Sequence, residues 1–321
     1  MNMKKSYARL IMTLTIGLFS ILYAAAENEL VQGFGLKSQV KGDHVLQFNI
    51  PDYELEDVTL HGQTFKRPVI DGAGQSSLEG NPELPVLTTF YTVEPGKSYR
   101  VQVNIISSET IENVDLLPRQ TWENVTLYEV VNFKRNINTY TDRAPYPEKL
   151  AVVSEPQTFR NLEMVTVSFT PFQYQPIEKK LEIITSAEIE LVETGSIADN
   201  AHRPAKRSRV FEKLYESIII NYERFMSGED FQKPSILYIL PSNASNLMST
   251  LNQLFNWRHK AGFVVNFAST NTTGSSASAI KNYIQNAYQS WNDPPEYVAL
   301  VGDASGSYSI PTYYDNWSSY N

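Results

Sequence analysis

Two folded parts of different class are expected from this chain: an antiparallel β-sandwich, and after it the beginning of a three-layer α/β domain. Three observations predict them. Between residues 33 and 192 apolar and polar side chains alternate with period two. Residues 195–209 are small, polar and increasingly basic. Beyond Pro234 short apolar runs alternate with stretches of helical period. Period two gives a sheet one apolar and one polar face, whereas near-continuous apolar runs suit strands buried on both faces.

Residues 1–26 read as a secretory signal. Lys4, Lys5 and Arg9 form a positive region, residues 10–23 an apolar run, and Ala24-Ala25-Ala26 a small-residue cleavage pattern with Ala24 and Ala26 at the recognised positions. The polar Glu27-Asn28-Glu29 follows directly, so the mature chain is expected to begin at Glu27. No other segment is apolar enough to span a membrane, and the destination is extracellular or the cell surface.

Residues 27–194 form the β-rich part. Alternation is clearest over 46–50, 99–105 and 165–169, and looser over 181–191. Lys41-Gly42-Asp43, Asp71-Gly72-Ala73-Gly74 and Glu94-Pro95-Gly96-Lys97 supply turns, and no helical stripe is evident here. Residues 195–233 form a basic linker in which Arg203, Arg207 and Arg209 are candidate processing positions, because exposed basic links are easily nicked. Residues 234–321 open the α/β part. Strands are expected over 236–240, 263–267 and 297–301. Leu247, Leu251, Leu254 and Phe255 mark one helical face, with Ser242, Asn243 and Ser245 offering capping oxygens and Gly262 the stop. Ile280, Tyr283, Ile284, Ala287, Tyr288 and Trp291 mark a second helix, preceded by Ser275, Ser276 and Ser278. Three strands make a thin sheet with a bare edge, so the domain is expected to continue beyond Asn321.

Composition excludes several chemistries. The net charge of −8 argues against a nucleic-acid partner. The chain has no cysteine, which rules out disulfides, thiolate metal ligands and a thiol nucleophile within these residues. Its four histidines lack zinc-site spacing, and no metal or other cofactor is expected. Gly302-Asp303-Ala304-Ser305-Gly306 lies past the third strand, where open α/β sheets build ligand sites. The segment after it contains Pro311 and no helical stripe, so it is not a phosphate loop. Asp303 reads as a turn cap, and Ser305, His259 and Asp303 lack the nucleophile elbow of a hydrolytic triad.

Six segments carry a family resemblance. Ser235-Ile236-Leu237-Tyr238-Ile239-Leu240-Pro241-Ser242-Asn243, the helix with Leu254-Phe255-Asn256-Trp257-Arg258-His259-Lys260-Ala261-Gly262, and Pro295-Glu296-Tyr297-Val298-Ala299-Leu300-Val301-Gly302-Asp303 followed by Ile310-Pro311 look like the start of a gingipain-type cysteine protease domain. Upstream, Gly80-Asn81-Pro82-Glu83-Leu84-Pro85, Val93-Glu94-Pro95-Gly96 and Phe172-Gln173-Tyr174-Gln175-Pro176 resemble the gingipain propeptide. The resemblance implies a zymogen: a propeptide that assists folding and blocks the cleft through intramolecular contact, then a caspase-like domain that cleaves protein substrates with a Cys/His dyad. The dyad is expected downstream of Asn321, and no catalytic residue carries over. The family's catalytic His precedes a Gly, but His61-Gly62 falls in the propeptide-like part. Two other classes stand beside this reading: a secreted β-sandwich adhesin, and a propeptide-like inhibitor acting on a separate protease.

N-terminal sequencing of the exported protein is expected to return Glu27 as the first residue. Recovery of Met1 would mean the apolar run is retained as an anchor.

Overall fold

The computed structural model describes residues 32–37, 44–76, 78–121, 132–160, 162–196, 206–222 and 231–313. Ala24, Ala26 and Arg203 lie outside them. The chain divides into two units. One comprises Met1–Gln157, Glu163–Ile197 and Ile219–Phe225; the other comprises Thr158–Leu162, Ala198–Ile218 and Met226–Asn321.

The first unit is antiparallel β throughout its named strands. One sheet runs β1 (Phe34–Leu36), β2 (Val45–Asn49), β12 (Lys180–Ser196) and β11 (Phe172–Gln175), with β7 (Lys97–Ile111) also paired to β12. A second runs β5 (Gly74–Gln75), β6 (Pro85–Val93), β10 (Leu162–Phe169) and β8 (Ala151–Val153), with β9 (Gln157–Phe159) also paired to β10. Their apolar faces meet in one core. Leu46, Phe48, Leu181, Ile189 and Leu191 come from the first sheet; Leu87, Tyr91, Val165, Val167 and Phe169 come from the second. This is the layering the alternation predicts. Ile183 and Ile184 are both buried although adjacent, because the β12–β7 register shifts between Ile184 and Ser186. A bulge of this kind turns two successive side chains toward one face.

A two-stranded hairpin, β3 (Tyr53–Leu60) and β4 (Gln63–Ile70), completes the unit. Its loop is His61-Gly62, both at positive φ (48° and 76°). That is the backbone of a two-residue turn matched to strand twist, and it explains why Gly stands there. One short helix, α1 (Ile137–Thr141), departs from the all-β expectation; five residues are too few to produce a readable stripe.

The propeptide-like motif Gly80-Asn81-Pro82-Glu83-Leu84-Pro85 is a structural hub. Gly80 has φ 83°, and a Cβ there would lie 3.1 Å from the amide of Asn136. Its carbonyl accepts from that amide at 2.8 Å. Asn81 Oδ1 accepts from Asn136 Nδ2 (2.8 Å) and Thr139 Oγ1 (2.7 Å). Tyr140 Oη donates to the Leu116 carbonyl at 2.9 Å, and Tyr174 Oη to the Val114 carbonyl at 2.8 Å. Glu83 is 2% exposed, with Arg119 Nη1 at 3.5 Å and Oε2 unbonded. Burial pushes its carboxyl above the usual range, and the attraction of Arg119 and Arg67 only partly offsets this.

The second unit holds a three-stranded parallel sheet in the order β14 (Val264–Ser269), β13 (Ser235–Leu240), β15 (Tyr297–Leu300). All six residues of β13 are buried, as its apolar run requires. Ile236, Tyr238 and Leu240 pack with Phe255 of α3 (Met248–Lys260). Leu237 and Ile239 face the other way, onto Ile280 and Ala287 of α5 (Ala277–Ser290), with α4 (Thr270–Thr273) between β14 and α5. Outside β13 the cover thins: Phe267, Tyr297, Val298 and Leu300 are exposed.

Two start signals met different fates. Ser276 Oγ accepts from the amide of Ala279 at 3.1 Å and caps α5 as the serines predict. Ser242, Asn243 and Ser245 do not cap α3, whose cap position is Leu247 with no side-chain bond. A 3₁₀ turn, Ala244–Asn246, intervenes, and Asn243 spends its amide on the Ser307 carbonyl at 2.8 Å. A further helix, α2 (Arg209–Ile218), lies within the stretch read as linker.

A raised carboxyl favours the neutral form in the folded state. Its stabilising share is complete at low pH and is lost as pH rises through the folded value. Glu83→Gln should therefore melt above the parent at pH 7, with the gap closing below about pH 4, the unfolded carboxyl's range. Thermal scans across that window check it; a pH-independent gap would show that ionisation of Glu83 plays no part.

Candidate functional site

Three regions of the sequence invite chemistry: the basic stretch before β13, the loop beyond β15, and the histidines. The basic stretch is built around α2. Phe211, Leu214, Tyr215 and Ile218 fall at helical spacing, and Ser208 starts the helix by accepting from the amides of Phe211 and Glu212 at 3.1 Å each. Tyr215 is buried, and its ring stacks with Phe211 at 6.1 Å. Burial pushes the Tyr215 phenol up to about 12. That apolar spacing was readable from sequence; the basic residues beside it drew attention to the stretch as linker instead.

Arg207 is half-buried and occupied. Its guanidinium forms a two-point pair with Glu212, Nε donating to Oε1 at 3.2 Å and Nη2 to Oε2. It also lies 4.5 Å from the ring centre of Phe231, and its carbonyl accepts from the amide of Gln232 at 2.9 Å. A fork-to-carboxylate pair backed by an aromatic face fixes such a side chain. Arg209 is exposed at the first turn of α2, with its guanidinium 4.7 Å from the Phe231 ring. Ser208 Oγ is bonded to Glu296 Oε1.

Beyond β15, the loop closes on itself. The amide of Asp303 donates to the Tyr308 carbonyl at 3.1 Å, and the amide of Ile310 donates to the Asp303 carbonyl at 2.7 Å. Asp303 Oδ1 accepts from the amide of Ala304 at 2.6 Å, which is a turn-capping use. Gly302 has φ 152°, and a Cβ there would sit 2.3 Å from the Tyr308 carbonyl oxygen. In the order β14-β13-β15 the chain reverses direction of growth between β13 and β15, which is where such sheets bind ligands. Asn243, after β13, and Ser307, after β15, are bonded across that point.

The candidate triad is not assembled. Ser305 follows the carboxyl end of β15, whereas His259 is in the last turn of α3 and exposed. A helix joining two parallel strands returns to the amino ends of the sheet. His259 and Ser305 therefore lie at opposite ends. His61 sits in the β3–β4 turn, beside Phe133 at 5.9 Å. Among the described residues no helix is long and apolar enough to cross a membrane.

Comparison with known proteins accounts for the order of the two units. The family model described as Propeptide_C25 matches residues 32–227, and that of peptidase family C25 matches residues 229–320. Gingipain R2 of Porphyromonas gingivalis is 25% identical over 266 residues, which is 80% of this chain and 36% of the relative. Gingipain R1 of the same organism is 24% identical over 264 residues, 80% of this chain and 26% of the relative. The chain thus spans about a third of these relatives or less. Among solved structures, a complex of P. gingivalis RgpB pro- and mature domains matches with TM-score 0.50 and 23% identity, over 60% of this chain and 99% of the matched one. With consecutive models taking in nearly all residues from 32 onward, the chain belongs to the gingipain family, peptidase family C25, as its propeptide and the start of its catalytic domain.

Proposed function

We propose that the chain is the N-terminal portion of a secreted cysteine endopeptidase zymogen. The first unit serves as folding aid and inhibitor, and the second begins a caspase-like catalytic domain. The observation that carries this is the uninterrupted succession of propeptide and peptidase matches on one chain. The division into a β unit and a parallel α/β unit supports it.

The chemistry is thiol attack on a peptide carbonyl, with an imidazole moving the proton and backbone amides holding the oxyanion. These residues include no cysteine, so the nucleophile comes from sequence corresponding to the unmatched part of the relatives. What this chain's own residues contribute is architecture: β13 as the buried centre of the catalytic sheet, and the loop of 302–310 at its carboxyl end. The signal is removed after Ala26, and the product is extracellular or surface-held.

Processing falls within residues 203–209. A protease must draw its target into an extended form, and Arg207 resists this through Glu212 and Phe231. Glu212→Ala should speed tryptic nicking after Arg207 several-fold, since a pair of this type contributes about 1–3 kcal/mol. Mass spectrometry of a digestion time course measures it. An unchanged rate would mean that the pair does not guard the bond.

Residues 27–321 alone are expected to hydrolyse no peptide substrate. Protein extended to the length of the relatives should be active, and iodoacetamide should abolish that activity. Hydrolysis by residues 27–321 that survives iodoacetamide would overturn the cysteine-protease reading.

A further inference from the structure

Strand β6 has one edge taken by β10 along 87–93 in an unbroken register. Its other edge is filled from two directions. Toward its start, β5 pairs with Pro85 and Val86. Toward its end, residues 219–222 lie against it: Ile219 is bridged to Phe90, and the amide of Ile220 donates to the Phe90 carbonyl at 3.1 Å. The amide of Thr92 donates to Asn221 Oδ1 at 2.7 Å, and Asn221 Nδ2 donates to the Thr92 carbonyl at 2.8 Å. Phe90 and Thr92 therefore turn backbone groups to this edge, and strand alternation gives Thr88 the same direction. Continuing the β5 register would set Gly72 opposite Thr88. Gly72 instead lies at φ 72° in the turn that the Ala73 amide closes on the Ile70 carbonyl. Among the described residues no backbone bond joins it to Thr88. The edge is thus open for one outward-facing residue.

The gap opens into a groove of ≈ 670 Å³, the size of a small-ligand site. None of its ten lining residues is charged, in a chain whose residues are 19% charged, so an ionic ligand finds no counter-charge there. The lining offers amides and hydroxyls instead, from Gln32, Gln75, Ser76 and Tyr146. Gln75 Oε1 is buried and has no hydrogen-bond partner among the described residues. A buried acceptor in that state costs free energy that a donor from a ligand recovers. Thr88 Oγ1 is taken by Ser168 Oγ at 3.1 Å, so what Thr88 presents is its peptide group, one donor and one acceptor. The complement of a peptide group is a secondary amide. An extended peptide cannot supply it, because β5 and residues 219–222 occupy the line of the edge on either side. A pendant amide can. We propose that this groove binds an N-acetylated amino sugar, with its acetamido group on the backbone of Thr88 and a ring hydroxyl donating to Gln75 Oε1. Phe90 and Tyr146, also in the lining, give the ring an aromatic surface.

The experiment titrates residues 27–321 by calorimetry with triacetylchitotriose and with cellotriose, which carries hydroxyls in place of the acetamido groups. Triacetylchitotriose should bind saturably and cellotriose about tenfold more weakly or worse, as expected for forgoing a two-bond contact. Gln75→Leu should weaken triacetylchitotriose about tenfold. Thr88→Val should leave its affinity unchanged, because valine keeps the backbone groups and loses only the hydroxyl spent on Ser168. No saturation by triacetylchitotriose, or equal affinity for cellotriose, would overturn the amino-sugar site. Tighter binding of N-acetyl-alanyl-alanine amide than of the trisaccharide would overturn it in favour of a peptide. These comparisons are made on the parent protein, so they stand whether or not a variant folds.

Discussion

Strand β12 is the member on which the first unit depends. It runs Lys180–Ser196 and is bonded along both edges. On one edge β7 follows it from Ile111 back to Lys97; on the other, β11 and then β2 take it in succession. Its alternation thereby sets the register of three other strands. A one-residue slip would turn Leu181, Ile189 and Leu191 out of the core and expose a face built to be dry. Against β7 the register shifts on both sides of Ser186, and the strict alternation breaks there.

Around this spine the motifs shared with the propeptide family do structural work. The segment from Gly80 to Pro85 touches no candidate reactive group. It collects backbone bonds from Arg119, Leu117 and Asn136 and ties the loops beside the second sheet to one point. Tyr174, within another such motif, exchanges backbone bonds with Tyr146 at 2.7 Å in each direction while its hydroxyl bonds the Val114 carbonyl. Resemblance over these residues therefore reports a shared scaffold. The chemistry of the family resides elsewhere.

Much of this architecture was legible in sequence because it rests on periodicity. The strands at 45–49, 162–169 and 180–196 follow the alternation, and β13 follows its apolar run. What escaped were features decided by single polar side chains or by distance along the chain. The helix at Arg209–Ile218 has a readable apolar spacing, but its basic neighbours suggested a linker. Asn243 looked like a cap and instead spans to Ser307, 64 residues away. Asn221 gave no local signal at all, since its partner Thr92 is 129 residues distant. Arg207 stood out in the sequence by its charge, while nothing there pointed to Glu212 and Phe231, which hold it.

The separation between Thr92 and Asn221 also sets an order of events. Any vectorial process, whether synthesis or passage through a membrane pore, delivers β6 well before the segment that seals its edge. At about 5–20 residues per second the gap is on the order of ten seconds. During that interval the sheet carries an open, apolar-flanked border of the kind that invites mispairing with other chains. The first unit is thus finished only after the second has begun to emerge, and a nascent chain stalled short of residue 222 would present that border to whatever chaperones wait at the exit.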